Sequence, residues 1–297
     1  IKSKSDLSLI NLNELQTEIK KTRAEVFALT RVWGKVCGDA GGFIHWGATT
    51  QNIEDAGRLI LLRKFHKSLM KELNSIIIKL SSIAKDHAGT IMIGRTLGSN
   101  ALPITYGFKV AGWIDDFLKM IDQLNETSTR LFQLRFGGAV GGFHSFGAEG
   151  QVLADKIANK LGFNCAIVGN RNSQEAFLEY VIKLAMIGQL VSKVIQEFYY
   201  LSSEEVGEIK EKLNLDVVGS STMPHKINPK QLIELKAYSN NLRGKLSDVM
   251  IYSNPLNEGD ASSNKEIANM IESTCPLALY VLSDFSEILD KIEPNIK

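Results

Sequence analysis

The sequence predicts an all-α protein built around a bundle of long helices, and three observations carry that reading. Proline is absent from residues 1–102 and occurs only at Pro103, Pro224, Pro229, Pro255, Pro276 and Pro294, which leaves long stretches free of helix breakers. Apolar residues recur at three-and-four spacing. The clearest run lies between Glu175 and Val206, at Phe177, Tyr180, Val181, Leu184, Ile187, Val191, Val194, Ile195, Phe198 and Leu201. At about 1.5 Å per residue that is a helix of roughly 48 Å. Period-two alternation of β-branched residues is nearly absent, and Thr90–Ile93 is too short to found a sheet.

In chain order, the same helical period runs from Glu54 to about His87, from Thr105 to about Phe136, through the Glu175 run, from Gln231 to about Met250, and from Asn264 to about Lys291. Helices longer than the globular average lie side by side, and many bury a second face in an oligomer. Between them, glycine and small polar residues gather at 38–50, 94–107, 137–150 and 218–229, the breaks where chemistry can sit. The first proline marks a boundary near residues 95–105.

Composition narrows the partners. With 44% apolar and 23% charged residues in 297, the chain has ample core material and no signature of disorder. Thirty-four Lys and Arg balance thirty-three Asp and Glu, for a net charge of +1. That balance speaks against a nucleic-acid-coating or anionic-lipid-binding protein. Cys37, Cys165 and Cys275 share no CxxC or Cys/His ligand spacing, so neither a disulfide framework nor a zinc site is expected. No window approaches about 18 uninterrupted apolar residues, and Ile1–Asp6 is not of signal-peptide type. A cytoplasmic protein without membrane contact and without a metal or other cofactor is expected. The chain begins with Ile, as a processed or trimmed product would.

The most unusual segment is Gly219-Ser220-Ser221-Thr222-Met223-Pro224-His225-Lys226-Ile227-Asn228-Pro229. Glycine and two serines loosen the backbone while two prolines fix points of it, giving a loop able to move and then hold a shape. Its hydroxyls, successive amides, Lys and Asn suit an anion and charge developing on a carboxylate. On composition alone, a polar connector between helices explains it equally well.

This segment resembles the signature loop of the fumarase/aspartase superfamily, Gly-Ser-Ser-x-Met-Pro-x-Lys-x-Asn-Pro, at every fixed position. The resemblance implies that Ser220 is the general base removing a proton next to a carboxylate, that Lys226 and Asn228 bind substrate, and that Ser221, Met223 and His225 line the same loop site. A second segment, His45-Trp46-Gly47-Ala48-Thr49-Thr50-Gln51-Asn52, is similar to the family's first region, His-x-Gly-Ala-Thr-Ser-x-Asp. It implies carboxylate-binding hydroxyls at Thr49 and Thr50, with His45 orienting Thr49 or contacting substrate; at Asn52 the family's negative charge is lost. A third, Gly94-Arg95-Thr96-Leu97 through Gly107, resembles Gly-Arg-Thr-His-x-x-x-Ala-x-Pro-Thr-Thr-Phe-Gly of adenylosuccinate lyases. It marks Thr96 for substrate and leaves Arg95 open between a carboxylate and an internal ion pair.

Leu97 stands where those lyases carry a His taken as the general acid, and an aliphatic chain donates no proton. The 3-carboxy-cis,cis-muconate cycloisomerases also lack that His and share His-Trp-Gly-Ala-Thr and a run like Leu134-Arg135-Phe136-Gly137-Gly138-Ala139, so the cycloisomerase branch is the nearest resemblance. Two other departures remove cationic positions: Gln174-Glu175 replaces Arg-Asp, and Asn257-Glu258-Gly259-Asp260 replaces His-Glu-Arg-Asp. The resemblance implies a partial N-terminal helical domain at 1–98 and a long-helix bundle at 99–297, with the family's C-terminal domain either absent or not included in the sequence. It also implies a homotetramer in which the three regions meet from different subunits.

The expected activity is therefore base chemistry on a di- or tricarboxylate, most like the muconate cycloisomerase. The alternatives are an adenylosuccinate- or argininosuccinate-type lyase releasing fumarate, or a catalytically impaired structural homologue. All the chemistry passes through an aci-carboxylate that the loop amides and Lys226 would stabilise. His66, His87 and His144 fall outside the matched segments and read as structural. The glycines at 137, 138, 141 and 142 follow no strand and precede no Gly-Lys-Ser/Thr, so close packing at a turn is expected there, not a phosphate loop.

Overall fold

The computed structural model describes residues 1–212, 223, 228–252 and 254–296. Among these are eight α-helices: α1 (Leu12–Thr22), α2 (Glu25–Cys37), α3 (Thr50–Asp86), α4 (Tyr106–Leu131), α5 (Gly150–Leu161), α6 (Glu175–Leu201), α7 (Lys230–Tyr252) and α8 (Ala261–Leu289). The long-period windows in the sequence thus become single helices with ends shifted by a few residues, and the all-α expectation holds. No helix among the described residues is long and apolar enough to cross a membrane.

The chain forms two compact units, one of Ile1–Arg63, Arg130–Gln174 and Asn254–Asn264, the other of Lys64–Thr129, Glu175–Ser253 and Lys265–Lys297. The second unit holds the largest apolar core. All ten apolar positions read from the Glu175 run are buried on α6. Trp113 of α4 meets Phe198 edge-on with centroids 5.3 Å apart, and Phe117 stacks on Phe285 of α8 at 5.7 Å. Gly188 lets α6 approach α7, since a Cβ there would lie 2.8 Å from the Ser239 carbonyl oxygen.

In the first unit, Ala28, Val32, Leu59, Leu62, Leu134, Phe136, Ala154, Ala158 and Phe163 are buried. Strand β3 (Gln133–Leu134) pairs in parallel with β4 (Asn164–Cys165). Arg63 reaches from α3 to the carbonyls of Leu161 and Gly162 at 2.9 and 3.0 Å, satisfying the orphan acceptors at the end of α5, and lies over the Phe163 ring.

One expectation changes. Thr90–Ile93 does lead into a small sheet, an antiparallel hairpin of β1 (Ile91–Thr96) and β2 (Ser99–Thr105). Thr96 faces Ser99, so Leu97 and Gly98 form a two-residue turn, and both have positive φ, +52° and +76°. That is the geometry of a type I′ turn, whose twist suits a hairpin. The sequence hides it because the first turn position is Leu, not Asn or Asp. A further pair, β5 (Ile209–Glu211) with β6 (Ile292–Pro294), is antiparallel.

Candidate active site

The first matched segment ends in the start of the long helix α3. Asn52 organises it: its Oδ1 accepts from the Thr49 amide at 3.2 Å and from the Gly138 amide at 3.2 Å, while its Nδ2 points to the Arg135 carbonyl oxygen at 3.5 Å. The contact to Thr49 is the reciprocal half of a capping box, with the side chain three residues into the helix holding the amide that precedes it. An aspartate could make the first two bonds but not the third. Thr49 is half-buried and Thr50 exposed, and neither hydroxyl has a hydrogen-bond partner among the described residues. They sit beside the first-turn amides that a helix leaves without internal acceptors, where the helix dipole favours an anion.

Around this end the backbone is drawn tight by glycine. Gly47 has φ +66°, and a Cβ on it would come 2.5 Å from Phe146 Cζ. A Cβ on Gly138 would meet the Gly47 carbonyl oxygen at 2.8 Å, and one on Gly141 the Gly169 carbonyl oxygen at 2.7 Å. The glycine cluster therefore serves close backbone packing, as the sequence reading expected. It leaves a cleft of about 290 Å³ lined by Gly47, Ala48, Gly138, Ala139, Val140, His144 and Ser145. His144, read from sequence as structural, is exposed on this cleft. His45 is half-buried with φ +68°, and its Nε2 is buried without a partner among the described residues.

Beneath the helix start lies a buried charge network. Asp55 is 3% exposed and pairs with Arg58 at 2.6 Å and Arg135 at 3.7 Å. Burial pushes its carboxyl up, against the opposing pull of Arg135 and Arg58. Arg58 also reaches Asn264 Oδ1 at 3.4 Å, and Asn264 Nδ2 donates to Glu54 at 3.0 Å, which ties α3 to the start of α8. Gln51, also buried, accepts from Arg171 Nε at 3.0 Å and donates to the Arg171 carbonyl oxygen at 2.8 Å. The sequence reading missed Gln51, Asp55, Arg135 and Arg171; the one signal available was the polar run Gln51, Asn52, Asp55 on the first turns of an amphipathic helix.

The other sequence-predicted residues that the structure describes belong to the second unit. Arg95 forms a two-pronged ion pair with Glu208 at 2.9 and 2.7 Å. Thr96 is exposed at the end of β1, and Leu97 at the turn is fully exposed. Met223 is exposed; Asn228 is half-buried, its carbonyl accepting from the Lys230 amide at 2.8 Å at the entry to α7. Ser220, Ser221, His225 and Lys226 lie outside the described residues. His66 Nδ1 is 3.1 Å from the Tyr180 hydroxyl and His87 Nδ1 3.0 Å from Thr90 Oγ1, both within the fold; burial lowers the His66 pKa.

Comparison with known proteins matches residues 10–249 to a family model described as lyase. An N-acetyl-S-(2-succino)cysteine lyase from Dickeya dadantii is 33% identical over 232 residues, covering 78% of this chain and 51% of the relative. An adenylosuccinate lyase from Methanothermobacter thermautotrophicus is 30% identical over 287 residues, covering 95% and 63% respectively. The crystal structure of 3-carboxy-cis,cis-muconate lactonizing enzyme from Pseudomonas putida shares the fold with a TM-score of 0.87 at 24% identity, over 99% of this chain and 66% of that one. The chain thus spans about half to two thirds of the length of the proteins it matches.

Proposed function

Because this chain belongs to the lyase family, within the fumarase/aspartase superfamily, we propose that it eliminates a thiolate from a succinyl thioether and releases fumarate. Leu97 carries the choice between carbon–sulfur and carbon–nitrogen cleavage. When the bond to the departing group breaks, its electron pair goes to the heteroatom. An amine must be protonated as it leaves, whereas a thiol, with a pKa of about 8.5, departs readily as the anion. Leucine at the position of the presumed general acid therefore favours a carbon–sulfur bond over a carbon–nitrogen bond. The N-acetyl-S-(2-succino)cysteine lyase relative supports the same substrate class.

In this mechanism the α3 start binds one carboxylate, through the hydroxyls of Thr49 and Thr50 and the first-turn amides. Ser220 removes the proton from the carbon next to a carboxylate, and Lys226 and Asn228 hold the charge that moves onto its oxygens. The aci-carboxylate then collapses: the carbon–carbon double bond forms, the carbon–sulfur bond breaks and its pair leaves on sulfur. Closure of the glycine-containing loop would exclude water and keep Ser220 reactive. Thr96, Ser221, Met223, His225 and His45 complete the pocket. The site is shared between subunits of a homotetramer, a reading supported by the exposed apolar side chains of Ile78, Phe108 and Met250 on the long helices.

Fumarate and free thiol, measured together from the 2-succino thioether of N-acetylcysteine, test the proposal. Equal amounts of both are expected, with a loss of about 10²–10⁴-fold in Ser220→Ala. Activity unchanged in Ser220→Ala, or no exchange of the carbon-bound hydrogen for deuterium, overturns it. Cycloisomerisation of 3-carboxymuconate is the second reading, because Leu97 suits that reaction equally. Loss of muconate absorbance without thioether cleavage would replace the first reading with it.

A further inference from the structure

Arg171 differs from Arg58 and Arg135 of the helix-start cluster in making no direct ion pair, its charge reaching the buried Asp55 carboxylate only at longer range. Arg58 and Arg135 are paired to Asp55. Arg171 makes no ion pair among the described residues, yet its guanidinium is held in place. Nε donates to Gln51 Oε1 at 3.0 Å, and Nη1 donates to the carbonyl oxygen of Ala139, which lines the cleft. Gln51 is 4% exposed and returns a bond to the Arg171 backbone, so it fixes both ends of the residue. A guanidinium carries five N–H donors, and two are used. Three remain, one on Nη1 and two on Nη2, donors suited to a carboxylate or phosphate oxygen.

Gly259 is the complementary observation. Its backbone has no left-handed φ, so the chain there does not itself require glycine. A Cβ, however, would lie 2.6 Å from Arg171 Nη1, 2.8 Å from Cζ and 3.1 Å from Nη2. The guanidinium fills the space that a side chain at 259 would occupy. Position 259 is where the sequence reading found a cation missing, and the structure puts a cation in the same space from another part of the chain.

We propose that Arg171 is an oxyanion-binding, specificity-determining residue of the α3-start site, gripping an acidic group of the substrate with the donors left open by Gln51 and Ala139, and that glycine at 259 is what admits it. This rests on the reading of that site as a carboxylate pocket. The acidic group is a carboxylate or a phosphate, and the probes separate the two: succinate for the first, inorganic phosphate for the second.

The test is calorimetric binding of succinate and of inorganic phosphate to the purified protein and five variants, with circular dichroism and melting as folding controls. Arg171→Gln is expected to weaken the recognised probe about 10–100-fold, in line with loss of charge-assisted hydrogen bonding. Arg171→Lys, which keeps charge without the fork and guards against a folding artefact, should fall between. Gly259→Ala should weaken binding by displacing the guanidinium, but add nothing in the Arg171→Gln background. Gly259→Arg in that background should recover part of the affinity. Binding within twofold of wild type in both Arg171 variants overturns the proposal, as do fully additive effects of Gly259→Ala or a wild type that binds neither probe. Fumarate release with a KM insensitive to Arg171→Gln would refute this inference and leave the thioether reading standing. Arg171-dependent succinate binding without fumarate release would do the reverse.

Discussion

Replacing Asn52 by alanine tests whether one side chain builds the anion-binding end of α3. The substitution removes the acceptor of two backbone amides, Thr49 and Gly138, each 3.2 Å from Oδ1, and a weaker donation at 3.5 Å to the Arg135 carbonyl oxygen. Gly138 is buried and its amide would be left unsatisfied, a cost of about 1–3 kcal/mol; Thr49 is half-buried and its amide can turn to water, at about 1 kcal/mol. The expected loss is therefore about 2–4 kcal/mol, read as a lower midpoint in urea at unchanged slope. Asn52→Asp keeps both acceptors and adds a negative charge that the helix start welcomes by about 0.3–1 kcal/mol, while placing it near the buried Asp55. It should be much milder than the alanine variant. In an activity assay the alanine variant should raise KM more than it lowers kcat, because in the proposed mechanism the displaced groups hold substrate. A loss under about 1 kcal/mol for Asn52→Ala, or an aspartate variant as damaging as alanine, would refute the reasoning.

Two further outcomes follow from the described contacts. Asp260 caps α8 through the amides of Ser262 and Ser263 at 3.0 and 3.3 Å, and hydrogen bonds from Ser262 and the Leu256 and Ser263 amides hold its carboxyl down at about 2, against an ordinary 3.8. A depressed acid stabilises the fold above its unfolded pKa and loses that contribution as pH falls. Acid titration of stability should thus show a decline between about pH 4 and pH 2 that Asp260→Asn removes; an identical acid profile in the variant would refute the cap. Phe285→Ala should cost about 3–5 kcal/mol in urea unfolding, because this fully buried ring stacks on Phe117 and the core around it closes only partly over the hole. A cost below about 1.5 kcal/mol would show a core that re-packs.

Much of the molecule was legible before any coordinates. The long helices announced themselves because periodicity is a local property: each buried residue of α6 lies three or four positions from the next, and no distant partner is needed to see the stripe. The segment from His45 to Asn52 was readable only through its resemblance to a family motif; that it enters α3 came from the structure. The hairpin of β1 and β2 was not readable, because its turn uses Leu97 in a left-handed conformation that local preference disfavours and tertiary packing must sustain. Arg95 illustrates the same limit: its sequence context left two roles open, and its ion pair with Glu208, 113 residues away, has no signature along the chain.

The sequence alone determined the helical class and the family resemblance, both of which depend on residues near one another in the chain. Only the tertiary structure decided which arginine of the helix-start cluster makes no direct ion pair. Arg171 meets Gln51 across 120 residues and fills the volume left by Gly259, and neither relation has a signature along the chain. Charge pairing and excluded volume act through space, so the electrostatics of the site emerge only when the fold brings those segments together.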